Sequence, residues 1–307
     1  MTDFKNHPLY KAHTIDTAMN SLWDFYKKNF LVLFLMSAVL AFVMQYFSSL
    51  IDMKEIQSET DPLVMLEKMK VFLVPMLIIS LVNLLLTTIL QHYIIFKPID
   101  SSTTIMTSVI RSFRYFLPYL IILIILSFAG AIAIVIGLLA LVVGAVFAAM
   151  YIMTLYLFIL PVMMTEGPDI GNTISRVFRL AHRGFWTNFG WVAAFIVILL
   201  VISLVLSGII LLPFAGSFFK TLFNPDAASE AVELAKNPLF IILSALANAL
   251  TLPLMPIFAT ILYFNGKAKE ERKEPEYNPA AEETRVRVED LYAKPYSDDH
   301  PDNPEKK

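Results

Sequence analysis

From residue 115 to residue 164 the chain runs for 50 positions without one Asp, Glu, Lys, Arg or His. Drawn out as a single helix, that run would be about 75 Å long, more than twice the hydrocarbon core of a bilayer. Only helices and closed barrels satisfy their backbone in lipid, so the run has to be two spans closed by a tight turn. The turn is placed near Gly137, between spans at 116–136 and 140–163. Long apolar runs at 30–51, 71–96, 189–213 and 238–264 supply four more spans. The fold class is therefore an all-α polytopic bundle of six transmembrane helices, occupying residues 14–265 between a short N-terminal tail (1–13) and a C-terminal tail (266–307).

Charge is distributed to match. It is 16% of the chain, against about a quarter in soluble domains, and 21 of the 50 charges fall in the last 42 residues. That tail, rich in Glu, Lys, Pro and Asp, has the composition of disorder. Within it, residues 284–296 carry hydrophobic and aromatic content that suits either a plain linker or a motif docking a protein partner. A net charge of −2 argues against nucleic acid as a partner, and the absence of cysteine excludes thiolate chemistry. No cleavable leader is expected, because the first 29 residues are polar and mixed.

Three stretches ahead of spans have helical amphipathic spacing and read as surface helices: 14–28, 101–114 and 169–184. Thr14 is the expected cap of the first, Asp100 or Ser102 of the second and Asp169 of the third. Shifts of 87 and 155 superpose the three patterns, so a surface helix followed by a two-span hairpin is used three times. The segments on this side carry Lys27, Lys28, Arg111, Arg114 and the aligned Arg176, Arg179 and Arg183. The positive-inside rule then puts both termini in the cytoplasm of a bacterial inner membrane. These seven cations are candidate contacts for anionic lipid headgroups. Glu166 is placed to pair with an arginine of the third surface helix.

Inside the spans, small residues recur at every fourth position. Ala133, Gly137, Gly144 and Ala148 are candidates for close helix packing, which places their hairpin at the centre of the bundle. Asn83, His92, Asn248, Pro253 and Pro256 are the polar or kinking residues, serving a pathway or packing. The asparagines suit interhelical hydrogen bonds, and the two prolines break or kink the last span. There is no phosphate loop, zinc pair or nucleophile elbow, and no paired ionisable groups at bilayer depth, so neither enzymatic activity nor a cofactor or metal is expected.

The runs L-P-V-M-M-T-E-G (160–167), I-S-R-V-F-R-L-A-H-R-G-F-W (174–186) and P-I-F-A-T-I-L-Y-F (256–264) resemble a bacterial integral-membrane family. That family comprises the membrane domain of glycerophosphoryl diester phosphodiesterases and YciC-like uncharacterised proteins. The resemblance covers about residues 14–265 and implies six helices, surface helices before alternate spans and no assigned activity. Where the family ends its last helix in Tyr-aromatic-Asp-x-Arg, this chain has Tyr263, Phe264, Asn265, Gly266 and Lys267, so no role of that acid carries over. The expected function is a non-enzymatic membrane protein that organises lipids or partner proteins at the cytoplasmic face. The alternative is a transporter or channel for a neutral or lipid-like substrate.

Overall fold

The computed structural model describes residues 4–49, 62–216 and 237–273. All regular structure among them is helical: α1 (Ile15–Lys28), α2 (Phe30–Ser49), α3 (Pro62–Phe96), α4 (Ile105–Leu139), α5 (Leu141–Glu166), α6 (Ile170–His182), α7 (Phe185–Leu211), α8 (Pro238–Thr251) and α9 (Leu254–Lys273), with short 3-10 turns at Phe4–Asn6 and Leu212–Phe214. Six stretches are long and apolar enough to cross a membrane: Phe30–Phe47, Leu73–Phe96, Ile105–Leu139, Leu141–Glu166, Phe185–Phe214 and Pro238–Arg272. The described residues up to Lys269 form one compact unit. The docking stretch proposed at 284–296 lies outside the described residues.

The spanning helices close into a ring in which α2, α3, α4, α5, α7 and α8 each touch the next and α8 returns to α2. One end of this ring is well packed. There α9, the last half of α5 and the ends of α3 and α7 bury Phe258, Ile261, Leu262, Tyr263 and Phe264 almost completely. Phe195 stacks on Phe258 with ring centroids 4.0 Å apart and planes 8° from parallel. Toward the other end the outer faces are bare hydrocarbon, with Phe128, Val142, Leu200 and Leu204 all more than half exposed. Apolar side chains face outward here because their solvent is lipid.

Two of the three expected surface helices exist as separate elements. Thr14 caps α1 in a reciprocal box with Thr17, and the Asp169 carboxylate accepts from the Asn172 amide at 2.7 Å to start α6. The breaks that follow them, at Asn29 and Gly184, coincide at the shift of 155, as do the caps. Neither helix lies simply across the end of the ring. The His13 amide donates to Asn265 Oδ1 at 2.9 Å and the Tyr26 hydroxyl to the Leu250 carbonyl at 2.9 Å, so the start of α1 is tied to α9 and its end to α8, antiparallel to the last span. After Gly167, whose φ of +116° ends α5, α6 likewise folds back along α5. Arg176 then meets Glu166, and His182 Nε2 meets the Tyr151 hydroxyl at 3.2 Å.

The middle copy is different. Residues 105–114 are the first turns of α4, continuous with the span, and the cap is Thr104 rather than Asp100 or Ser102. Asp100 instead closes a local turn, accepting from the Ser102 hydroxyl (2.6 Å) and amide (3.0 Å), which hold its carboxyl below the usual carboxylate range. The amphipathic pattern is real but inverted. Ser108 and Ser112 are fully buried, whereas Met106, Ile110, Phe113 and Leu117 point out and join the apolar stripe of the span.

Four further expectations are corrected. The N-terminal tail is part of the body, because His7, Leu9 and His13 are buried. The tail after 265 begins late, since α9 continues to Lys273. The hairpin turn falls at Ala140–Leu141, beyond Gly137, with Leu141 at φ 66°. Finally, the α4–α5 tip is peripheral rather than central: Leu139 is 85% exposed. The small-residue packing itself holds at Gly137 and Gly144, while Ala133 and Ala148 are half-buried.

Candidate functional site: a central chamber and a polar lock

Six helices in a ring need large side chains to fill the middle, and these lack them. Gly130, Ala131, Ser127, Ala149 and Ser203 leave a half-open chamber of about 930 Å³. Its wall includes Leu40, Asn83, Ile152, Leu199 and Met255, which sit near the middles of their spans. A second cavity of about 280 Å³ shares Ser203 and Thr251 with it and reaches Gln45, Ser207, Ser244 and Asn248, away from the packed end. We call it the neck. Among the described residues, the 20 that line the chamber and the nine that line the neck include no Asp, Glu, Lys, Arg or His.

The break in the last span forms part of this wall. Pro253 and Pro256 lack amide donors, and α8 stops at Thr251 while α9 restarts at Leu254. Protein groups satisfy carbonyls on both sides of the break: Tyr26 bonds Leu250, and Gln91 Nε2 donates to Pro256 O at 3.2 Å and Thr260 Oγ1 at 2.7 Å. The Gln91–Thr260 pair is buried and closes the floor toward the packed end.

Asn83 and Asn248 do not make the interhelical bonds expected of them. Among the described residues neither side chain has a hydrogen-bond partner, and both are exposed to the cavities they line. At membrane depth an amide with nothing to bond costs several kcal/mol. His92, by contrast, is fully enclosed at the packed end, with Nδ1 3.2 Å from Ser108 Oγ and its ring 4.5 Å from Phe96. Asn188 closes the α6–α7 corner through the carbonyls of Leu180 and Ala181. The neck hydroxyls were singled out by no motif, yet they had a signal. Ser203 and Ser207 are four apart, and Ser244, Asn248 and Thr251 follow at i, i+4 and i+7, a polar stripe on each of two apolar helices.

At the packed end a second polar group joins α5, α6 and α9. Arg176 Nε lies 3.0 and 2.9 Å from the two oxygens of Glu166. The Tyr263 hydroxyl donates to Glu166 Oε1 at 2.8 Å and receives Thr165 Oγ1 at 2.6 Å, and Lys267 Nζ stands 3.8 Å from the carboxylate. The expected Glu166–arginine pair is therefore present. It also withdraws Arg176 from the surface, since its side chain is 11% exposed. Lys27, Lys28, Arg111, Arg114, Arg179 and Arg183 are exposed, Arg111 lying 3.9 Å from Asp100. Asn265, where the resembled family has an acid, accepts the His13 amide.

His7 is held as a neutral imidazole. Its Nε2 donates to the Ile94 carbonyl (3.1 Å) while Nδ1 accepts the Leu9 amide (3.1 Å). Burial pushes its pKa down from 6.5 to about 4 against the opposing pull of the Ile94 carbonyl. A depressed histidine favours the folded form above pH 6.5, and that advantage, about 3 kcal/mol, is lost as pH falls from 6.5 to 4. Hydrogen exchange of amides 4–13, corrected for its intrinsic pH dependence, is expected to accelerate through that window. His7→Gln should show a smaller step, the remainder coming from His13, whose pKa burial also lowers.

These features define a multi-pass membrane protein with an uncharged interior cavity. No protein-family model matches the chain, and neither the curated proteins nor the solved structures contain a match.

Proposed function

We propose that this chain is a non-enzymatic membrane protein that takes up a lipid-like substrate in its central chamber. The supporting observation is the chamber itself: about 930 Å³, at the upper end of the range for small-molecule sites, floored at one end and continuing into a polar neck at the other. A substrate there would give Asn83 and Asn248 the partners they lack. This favours the carrier or channel alternative over the purely organising role.

The organising role keeps one support, the exposed Lys27, Lys28, Arg111, Arg114 and Arg179 near the packed end. Each cation near an anionic surface contributes roughly 1 kcal/mol. By the positive-inside rule that end faces the cytoplasm of a bacterial inner membrane, which puts both termini there and turns the neck toward the opposite side.

Native mass spectrometry of protein extracted from its membrane tests the reading. A tightly held lipid-like molecule is expected on the wild type and lost from Ala149→Trp, whose indole projects into the chamber and obstructs it. In the same preparations, Glu at Arg111, Arg114 and Arg179 should reduce retained acidic phospholipid without displacing the chamber molecule. An unaltered bound molecule in Ala149→Trp would remove the chamber from the function.

A further inference from the structure

Resting on the chamber reading, the geometry points to one substrate class: a lipid with an uncharged, hydroxyl-bearing head, of the diacylglycerol type. The chamber wall is mainly apolar, whereas five side chains of the neck (Gln45, Ser203, Ser207, Ser244, Asn248) and Thr251 are amides or hydroxyls. Ser203 and Thr251 line both cavities, so an elongated molecule reaching past them would place hydrocarbon in the chamber and its head in the neck.

The choice of head follows from charge. A phosphate needs a cation or a cluster of strong donors to leave water, and an unpaired buried ion costs far more than an unpaired hydroxyl. Among the described residues no cation lines either cavity, and Arg176 and Lys267 are engaged with Glu166 at the packed end, beyond the Gln91–Thr260 floor. An ammonium head is disfavoured equally, because no carboxylate among the described residues lines them. Amides and hydroxyls each donate and accept, which matches a head whose own hydroxyls do both. Thr251 already spends its proton on Ala247 or Asn248 within α8 and offers the head an acceptor. The Asn248 amide has both groups to offer.

The test compares two probes with identical chains, radiolabelled 1,2-dioleoylglycerol and dioleoyl phosphatidate, on the full chain in phosphatidylcholine nanodiscs. Saturable binding of dioleoylglycerol, at least tenfold tighter than the phosphatidate, is expected. Asn248→Leu, close in volume, should weaken it about tenfold. Ala149→Trp and, independently, Ser127→Phe should abolish it, with melting temperatures reporting that each variant folds. Equal or tighter binding of the phosphatidate, still abolished by the chamber variants, would overturn the head-group class and leave the chamber reading standing. Dioleoylglycerol binding unchanged in Asn248→Leu would overturn the placement of the head in the neck. Binding of both probes unchanged in folded Ala149→Trp and Ser127→Phe would overturn the chamber itself.

Discussion

Replacing Glu166 with alanine is expected to cost about 2 kcal/mol and to loosen the packed end of the bundle. The carboxylate accepts from Arg176 Nε on both oxygens and from the Tyr263 hydroxyl, so its removal takes the anionic partner from a guanidinium that is only 11% exposed and the acceptor from a phenol proton. Glu166 is itself partly open to solvent, with 27% of its side chain exposed, but Arg176 is not. Removing the carboxylate alone is thus more damaging than removing both, because the survivor keeps its desolvation cost. Arg176→Ala should therefore also destabilise, and the double variant should recover at least 1 kcal/mol of the summed loss. Glu166→Gln, which keeps an acceptor for Tyr263, should fall between alanine and wild type. Thermal melting of the four variants in nanodiscs gives the cycle. Strict additivity would show that Glu166 and Arg176 do not act as a unit.

This lock also shows how far the sequence could be read. Glu166 and Arg176 lie ten apart across Gly167 and Pro168, and their pairing could be anticipated from the forced turn between two helices. Tyr263 is 97 residues further on, and nothing local signals which of six spans will carry its partner. The spans were legible for a simple reason: hydrocarbon thickness fixes a length, and a missing charge marks it. The surface helices were harder, because helical spacing gives a stripe but not the direction in which it points. At 105–114 the stripe faces outward with the span, and the inward residues are the small hydroxyls Ser108 and Ser112. Likewise His7 and His13 sit in a stretch with no pattern, since what buries them is an irregular seat under α3 and α9 rather than a periodic face. The chamber could not be foreseen at all. It depends on the order of helices around a ring, and a missing volume leaves no residue to mark it.

The second large effect is expected at the α4–α5 hairpin, where the backbones touch. A Cβ built on Gly137 would stand 2.6 Å from the Gly144 carbonyl oxygen and 2.9 Å from the Ala145 Cα. One built on Gly144 would overlap the Gly137 carbonyl oxygen and stand 2.8 Å from the Ala140 Cβ. Backbone atoms cannot turn away as a flexible side chain can, so even alanine must push the helices apart. Overpacking typically costs 1–3 kcal/mol, and Gly137→Ala and Gly144→Ala should each reach about 3 kcal/mol, with valine worse. The nearby turn predicts the opposite sign. Leu141 holds φ at 66°, a conformation that disfavours a leucine but not a glycine, and its side chain is 77% exposed. Leu141→Gly should therefore raise stability by about 1 kcal/mol in the same few residues where added methyls lower it. Gly190→Ala and Gly208→Ala, with no heavy atom near the new Cβ, serve as controls and should be no less stable than wild type. Melting temperatures for the five alanine and glycine variants in one lipid decide it. If Gly144→Ala melted with the controls, the close approach of α4 and α5 would not be what closes the hairpin.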